Sequence, residues 1–387
     1  MNASDSTKEL HEFILQHKDD YCQLAKAVWS HPELAFEERN ACKLQVDLLK
    51  QFAFETITPY TGLETAYFAW KGHGEVSFCF VAEYDALPEL GHGCGHNLIA
   101  AAAVAAATSC ARLLEQNNLP GRVVVMGTPA EESGGGKVRM LEKNCLDGID
   151  AAMMVHPSWR STPDTGSTAI RRFDVEFFGK SAHAAAAPEL GLNALDATVL
   201  LYNGISVWRQ QLPESARIHG VIKEGGHAPN IIPSQSLSRY YLRSTSDDVL
   251  DCMEKRFFDI VKGAALMTGT TYEIKAHNVP YRSRKPNDEL NRIFFQASCE
   301  VGLNPVVPNR PGRGSSDFGD FSQKIPGIHP YFGIASGEIA AHSKAFCEAA
   351  GSDYGMEQML KAATAMAKVG YTFLTDPAVR RKVINGK

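Results

Sequence analysis

The chain has 387 residues, of which 44% are hydrophobic and 21% charged, and a formal net charge of −5. That length exceeds one ordinary core and predicts two domains. The mild acidity and the polar start (MNASDSTKEL) speak against nucleic acid or a membrane as partner and against a secretory leader, and nine cysteines in no spacing framework predict reduced thiols in a cytoplasmic protein.

Through Gln51 the pattern is helical, broken by the turn Ser30-His31-Pro32-Glu33. Residues 76–83 (VSFCFVAE) form a nearly continuous apolar run and predict a buried strand. An alanine-rich helix follows over 98–114. Thr108 and Ser109 interrupt its apolar character, so no run is expected to reach bilayer length. Further buried strands are predicted at 122–127 (RVVVMG) and 151–155 (AAMMV). This alternation is that of an open α/β sheet, where ligands bind beyond the carboxyl ends of the strands. Glu83, Asp85, Glu131, Glu132 and His156 fall at those ends.

From about residue 166 the character changes. Strands are predicted at 169–178, 217–223, 237–244 and 271–277, and helices at 193–211 and 250–268. Strand-helix-strand-strand-helix-strand is a ferredoxin-like α+β unit. Residues 280–286 lead back to α/β character. The expected architecture is an α/β domain made of 1–165 and 281–387, with a small α+β domain, 166–280, inserted.

Cys94 and His96 lie in Gly91-His92-Gly93-Cys94-Gly95-His96-Asn97. Thiolate and imidazole suit zinc-like ions, and glycines let backbone bend around one. A buried structural Cys, or a Cys nucleophile with a His partner, are the competing readings. Glu131 and Glu132 follow the strand at 122–127, so one carboxylate can hold metal while the other takes a proton from water. The glycines after them do not match a phosphate-binding loop, because Val138 follows Lys137. They are read as room for substrate backbone or loop movement. His156 either caps its strand or joins the site. His342 and His329 compete for a last ligand position, and spacing alone does not choose. In the inserted domain, His183 is either structural or a donor to a developing oxyanion. Asn230 either binds substrate or makes a turn. Arg243 either binds a substrate carboxylate or is an ordinary paired arginine, and Asp317 reads as structural.

Cys94-Gly95-His96, Pro129-Ala130-Glu131-Glu132, His156-Pro157, the stretch GKSAHAAAAPELGLNALDA around His183, the His-Ser at His342, Ser30 to Leu34 and Gly314 to Phe318 occur in one order along the chain. In these the sequence resembles the aminoacylase/carboxypeptidase family of co-catalytic zinc peptidases, in its amidohydrolase branch. The resemblance implies a zinc-peptidase-like catalytic domain with a ferredoxin-like lid and dimerisation domain. It implies two divalent metal ions, zinc by default with manganese or cobalt as substitutes, held by Cys94 (bridging), His96, Glu132, His156 and His342. Glu131 would be the general base and Asp85 would orient a ligand histidine. His183 would reach a neighbouring subunit's site in a homodimer. The substrate would be a dipeptide or an N-acyl amino acid. Glu83 stands where many members of the branch have Asp, and Asn97 where many have Asp. The Asn97 form, with the stretches GTPAEESGGGK and SAHAAAAPELGLNALDA, is more similar to a narrower group holding β-alanyl-lysine (Xaa-Arg) type dipeptidases and aminobenzoyl-glutamate hydrolase.

Overall fold

The computed structural model describes residues 3–309, 312 and 314–386. The chain divides into two compact units. One takes Met1–Gly166, Lys285–Gly312 and Asp320–Lys387, the other Ser167–Arg284 and Arg313–Gly319. The last short segment lies in the span expected to return to the first domain. It groups instead with the second unit, because Gly314 and Ser315 bond to Thr168 (2.8 Å from Thr168 N to Gly314 O, 3.0 Å between the hydroxyls).

The first unit opens with helices α1 (Ala3–Gln16), α2 (Lys18–Ser30) and α3 (Arg39–Gln51). Strands β1 (Glu55–Ile57) and β2 (Tyr67–His73) follow, and β2 runs antiparallel to a later strand. Neither was predicted: β1 has three residues and no buried one, and β2 is fully buried only at Tyr67 and Ala69. Next come β3 (Ser77–Ala82), α4 (His96–Gln116), β4 (Gly121–Gly127), α5 (Gly136–Leu141), β5 (Ala151–Met153) and β6 (His156–Ser158). All six residues of β3 are buried, as its unbroken apolar run requires.

Helix α4 corrects one expectation. Its 21 residues are long and apolar enough to cross a membrane by length and composition, despite Thr108 and Ser109. Those hydroxyls find partners inside the fold. The Tyr21 hydroxyl lies 2.7 Å from that of Thr108, and Ser109 donates to Leu10 O at 3.0 Å. The helix is almost wholly buried, packing against β3, β4, α2 and a late helix.

The second unit comprises β7 (Ala169–Phe178), α6 (Ala194–Trp208), β8 (Ala216–Glu224), β9 (Gln235–Ser244), α7 (Asp247–Thr268) and β10 (Thr271–Ala276). The sheet order is β10-β7-β9-β8, antiparallel throughout, which is the ferredoxin-like arrangement that the element sequence predicts. Its separate core joins Phe173, Val175 and Phe177 of β7 to Leu201 and Ile205 of α6 and Phe257 and Val261 of α7. Asn193 and Ser246 cap the two helices.

The chain then forms α8 (Asp288–Glu300), α9 (Phe318–Ser322), β11 (Gly327–Ile328), β12 (Tyr331–Gly333), α10 (Lys344–Ala350), α11 (Asp353–Thr375) and α12 (Pro377–Asn385). The main sheet has the order β1-β2-β4-β3-β5-β11. Strands β4, β3, β5 and β11 are mutually parallel. The short β6 and β12 pair in parallel just beyond, with His156 opposite Tyr331. Helix α11 packs on α4 and on β3, where Gly370 makes room for Phe80.

Candidate metal centre and active site

The site is built where β3, β4 and β5 end. Between β3 and α4 the chain must turn sharply at Cys94-Gly95-His96. Gly95 caps the helix at φ 77°, and a Cβ there would lie 2.5 Å from Pro157 Cγ. Only glycine satisfies both conditions. His96 thereby becomes the first residue of α4. Its Nδ1 lies 3.0 Å from Asp85 Oδ1 and donates to that carboxylate, which leaves Nε2 as the atom turned to the other donors. The other Asp85 oxygen accepts from Glu132 N at 3.0 Å, which ties the end of β3 to the loop after β4. Burial opposes ionisation of Asp85, but the His96 hydrogen bond prevails and holds the carboxyl below its usual range.

His156 is oriented in the same way. Its Nδ1 donates to Pro157 O at 2.7 Å, leaving the Nε2 lone pair 3.4 Å from Cys94 Sγ. His342 arrives on the loop between β12 and α10. Its N–H bonds Gly93 O at 2.9 Å, and it adopts φ 61°, a conformation rare for a residue with a Cβ. Its Nε2 lies 3.6 Å from Glu132 Oε1, and His96 Nε2 lies 3.8 Å from the same oxygen.

The donors fall into triads. Cys94, His96 and His156 form one, and Cys94, Glu132 and His342 another, each with its donor atoms within 4.8 Å of one another. A third triad joins His96 to Glu131 and Glu132. Cys94 is common to the first two triads, so its sulfur would serve both ions if each triad held one. The residues fit such ions. His96 Nε2 and Glu132 Oε1 are buried without a hydrogen-bond partner among the described residues, an arrangement proteins rarely leave unfilled. Two donors each about 2.0–2.3 Å from one tetrahedral ion sit roughly 3.3–3.8 Å apart, and Cys94 to His156 (3.4 Å) and Glu132 to His342 (3.6 Å) fall in that range. Burial, followed by the charge of Glu132, pushes the Cys94 thiol up, so either a nucleophile or a ligand there needs a cation to favour the thiolate.

Several sequence readings resolve differently. The buried His329 stacks on His156, with ring centroids 5.4 Å apart, and bonds Asp164 through its backbone N–H; it enters none of the donor groups among the described residues. Asn97 has no place at the metal donors. Its Nδ2 donates to Ala350 O at 2.9 Å and Ala25 O at 3.3 Å, a role that an aspartate could not fill. Of the glycines after Glu132, read as room for substrate backbone or loop movement, Gly134 and Gly136 make room for the turn's own neighbours, Phe36 and Pro129. A Cβ on Gly136 would lie 1.8 Å from Pro129 O.

His183, Asn230 and Arg243 belong to the second unit. His183 is exposed, and its Nδ1 accepts from Ala185 N (3.2 Å) and Ala186 N (3.1 Å). The ring proton therefore sits on Nε2, available to donate. Asn230 is exposed on the adjacent loop, where its carbonyl accepts from Ala184 N. Arg243, on β9, donates to Ser315 Oγ at 2.9 Å and has no carboxylate partner among the described residues. Burial, then Arg172, lowers its pKa. Asp317 is wholly buried.

Two features escaped the sequence reading. Lys137 is fully buried and bonds Glu83 Oε1 at 2.5 Å, while Glu83 Oε2 lies 3.6 Å from His96 Nε2. The sequence showed both residues but not their pairing. Glu38 lies beneath the Glu131 loop, and nothing local in the sequence marked it.

A family model described as peptidase family M20/M25/M40 matches residues 79–369. The Mus musculus Xaa-Arg dipeptidase is 40% identical over 375 residues, 92% of this chain and 86% of that protein. A p-aminobenzoyl-glutamate hydrolase subunit of Escherichia coli is 33% identical over 301 residues, 73% of this chain and 62% of its own length. A dinuclear metal-binding peptidase of Bacillus subtilis shares the fold, with a TM-score of 0.70 at 21% identity over 95% of this chain and 99% of that one. The family match takes in most of β3, all of β4 and β5 and every residue of the candidate donor triads, and on that extent the chain belongs to peptidase family M20/M25/M40.

Proposed function

We propose that this metal-dependent hydrolase cleaves the amide bond of a dipeptide or aminoacyl conjugate that carries a free carboxylate, with a basic C-terminal residue preferred. The observation that carries the reading is the pair of donor triads sharing Cys94, with Glu131 beside Glu132. The likeness to the mouse Xaa-Arg dipeptidase favours the basic residue. The likeness to the Escherichia coli p-aminobenzoyl-glutamate hydrolase makes N-acyl or aminobenzoyl amino acids the second reading.

Cys94, His96 and His156 would hold one ion, and Cys94, Glu132 and His342 the other. When bound, the ions polarise the carbonyl and acidify a water. Zinc suits the sulfur and nitrogen donors, and manganese or cobalt can substitute. Glu131 takes the proton from the attacking water and delivers it to the leaving amine. His183, with its proton on Nε2, donates to the oxygen on which negative charge develops. Arg243, which has no carboxylate partner among the described residues, suits a substrate carboxylate. Asn230 would bind the substrate beside it. The protein acts as a homodimer in the cytoplasm, His183 serving the neighbouring subunit's site.

The test is hydrolysis of β-alanyl-lysine, alanyl-arginine, hippurate and aminobenzoyl-glutamate by chelated protein resupplied with Zn²⁺, Mn²⁺ or Co²⁺. Metal-dependent cleavage of the basic dipeptides is expected. Glu131→Gln should lower kcat by about 10²–10⁴-fold while retaining both ions. Activity indifferent to chelation would overturn the metal mechanism, and preference for hippurate or aminobenzoyl-glutamate would move the substrate to the second reading.

A further inference from the structure

The segment from Glu33 to Glu38 touches both loops that carry the metal donors. Glu33 O accepts from Ala86 N at 2.8 Å, beside Asp85. The Glu33 carboxylate accepts from Asn40 N and Ala41 N at 2.9 and 2.8 Å, closing the first turn of α3. Phe36 packs so closely on Gly134 that a Cβ there would lie 2.4 Å from its ring. Arg139 lies over the same ring at 4.8 Å. Glu38, the residue before α3, completes the bracket. It is wholly buried, with Oε1 accepting from Ala130 N at 2.9 Å and Oε2 from Thr65 Oγ1 at 2.8 Å.

Ala130 has φ 62°. A residue with a Cβ holds that conformation only where its surroundings fix it, at a cost of order 1–3 kcal/mol. The peptide that Glu38 grips joins Pro129 to Ala130, the residue before Glu131, so its orientation together with the left-handed Ala130 sets the directions in which Glu131 and then Glu132 leave the strand end. A carboxylate buried to this depth, touching neither donors nor substrate, has a local reason to exist in this grip.

We propose that Glu38 is a positioning residue for hydrolysis, its carboxylate fixing the left-handed Ala130 and thereby the placement of the base Glu131 and the ligand Glu132. The proposal rests on the assignment of those two roles. Because a misplacement of about 1 Å can cost about 10²-fold in rate, loss of the grip should appear in kcat. Glu38→Gln retains an oxygen for Ala130 N and an amide for the Thr65 hydroxyl, and should keep kcat near the wild-type value. Glu38→Asp, one methylene shorter, cannot span both partners.

The experiment measures kcat, KM and bound Co²⁺ for wild type, Glu38→Gln, Glu38→Asp, Glu38→Ala and Glu131→Gln, each rate expressed per folded, metal-loaded site. The expected result is a fall of about 10²-fold in kcat for the Asp and Ala variants with KM little changed, and rescue by Gln. A folded, fully loaded Asp variant with wild-type kcat would overturn the proposal, as would a Gln variant as slow as Asp. If the Ala variant does not fold, the Asp and Gln pair decides. A Glu131→Gln variant that remains active would instead overturn the underlying assignment of the base.

Discussion

The Glu38 carboxyl is pushed up to about 7, first by burial and then by the charge of Asp85. A carboxyl raised above its ordinary value binds its proton more tightly in the folded chain than in the unfolded one. Its contribution to stability is therefore complete below about 4.5 and is lost as pH rises through about 7. The span corresponds to about 3 kcal/mol. In metal-stripped protein the stability of wild type relative to Glu38→Gln should thus decline between pH 5 and pH 8. Urea denaturation across that range measures it, and a flat difference would show that Glu38 is ionised in the fold throughout. The sequence displayed the run Glu37-Glu38 as two ordinary charges. What makes Glu38 different is tertiary, because Thr65 and Ala130 reach it from elsewhere in the chain.

At the scale of elements, the pieces with one strong local signal were legible. The apolar run of β3, the alternation of β7 and the helical periodicity of α7 each match the observed element closely. The turn after β4 was not. Its glycines carry no pattern that separates substrate room from self-packing, and only the approach of Pro129 O to Gly136 decides. Gly136→Ala would place a methyl on that carbonyl, and backbone cannot yield as a flexible side chain can. The loop from Pro129 must then shift, carrying Glu131 and Glu132 with it. The expected outcome is a loss of stability of about 1–3 kcal/mol and weaker binding of the ion shared by Glu132 and His342. Thermal unfolding and Co²⁺ titration report the two effects. A variant that unfolds at the wild-type temperature and binds both ions would mean that the turn relaxes without moving its carboxylates.

Across the whole molecule, the donors span Cys94 to His342, with the ferredoxin-like unit inserted between His156 and His342. Glu131, Glu132 and His156 could be read as candidates because each follows a predicted strand, and Cys94 and His96 because they stand among glycines just ahead of a predicted helix. Spacing did not separate His342 from His329, and only the family resemblance selected it, because His342 is placed by a long-range bond to Gly93 O and a left-handed backbone, neither of which leaves a local pattern. The same distinction bears on assembly. Strand β8 lies at the edge of the second unit's sheet, and its last four residues are exposed, with Val221 56% and Ile222 43% accessible. Exposed edges invite pairing with another strand, and a second copy offers the same edge in symmetric register. Helix α6 of the same unit also leaves Val199, Tyr202 and Val207 exposed. The dimer should therefore form through β8, and light scattering should give twice the 42.3 kDa of the chain. Replacing Val221 and Ile222 together by Lys should yield a monomer that keeps both ions. If His183 acts on the neighbouring subunit's site, that monomer should also lose kcat, because the oxyanion donor is then missing. A removed oxyanion donor costs about 10²–10³-fold. A monomeric variant with full activity would confine His183 to its own chain, and a wild type already monomeric at assay concentration would remove the dimer from the mechanism.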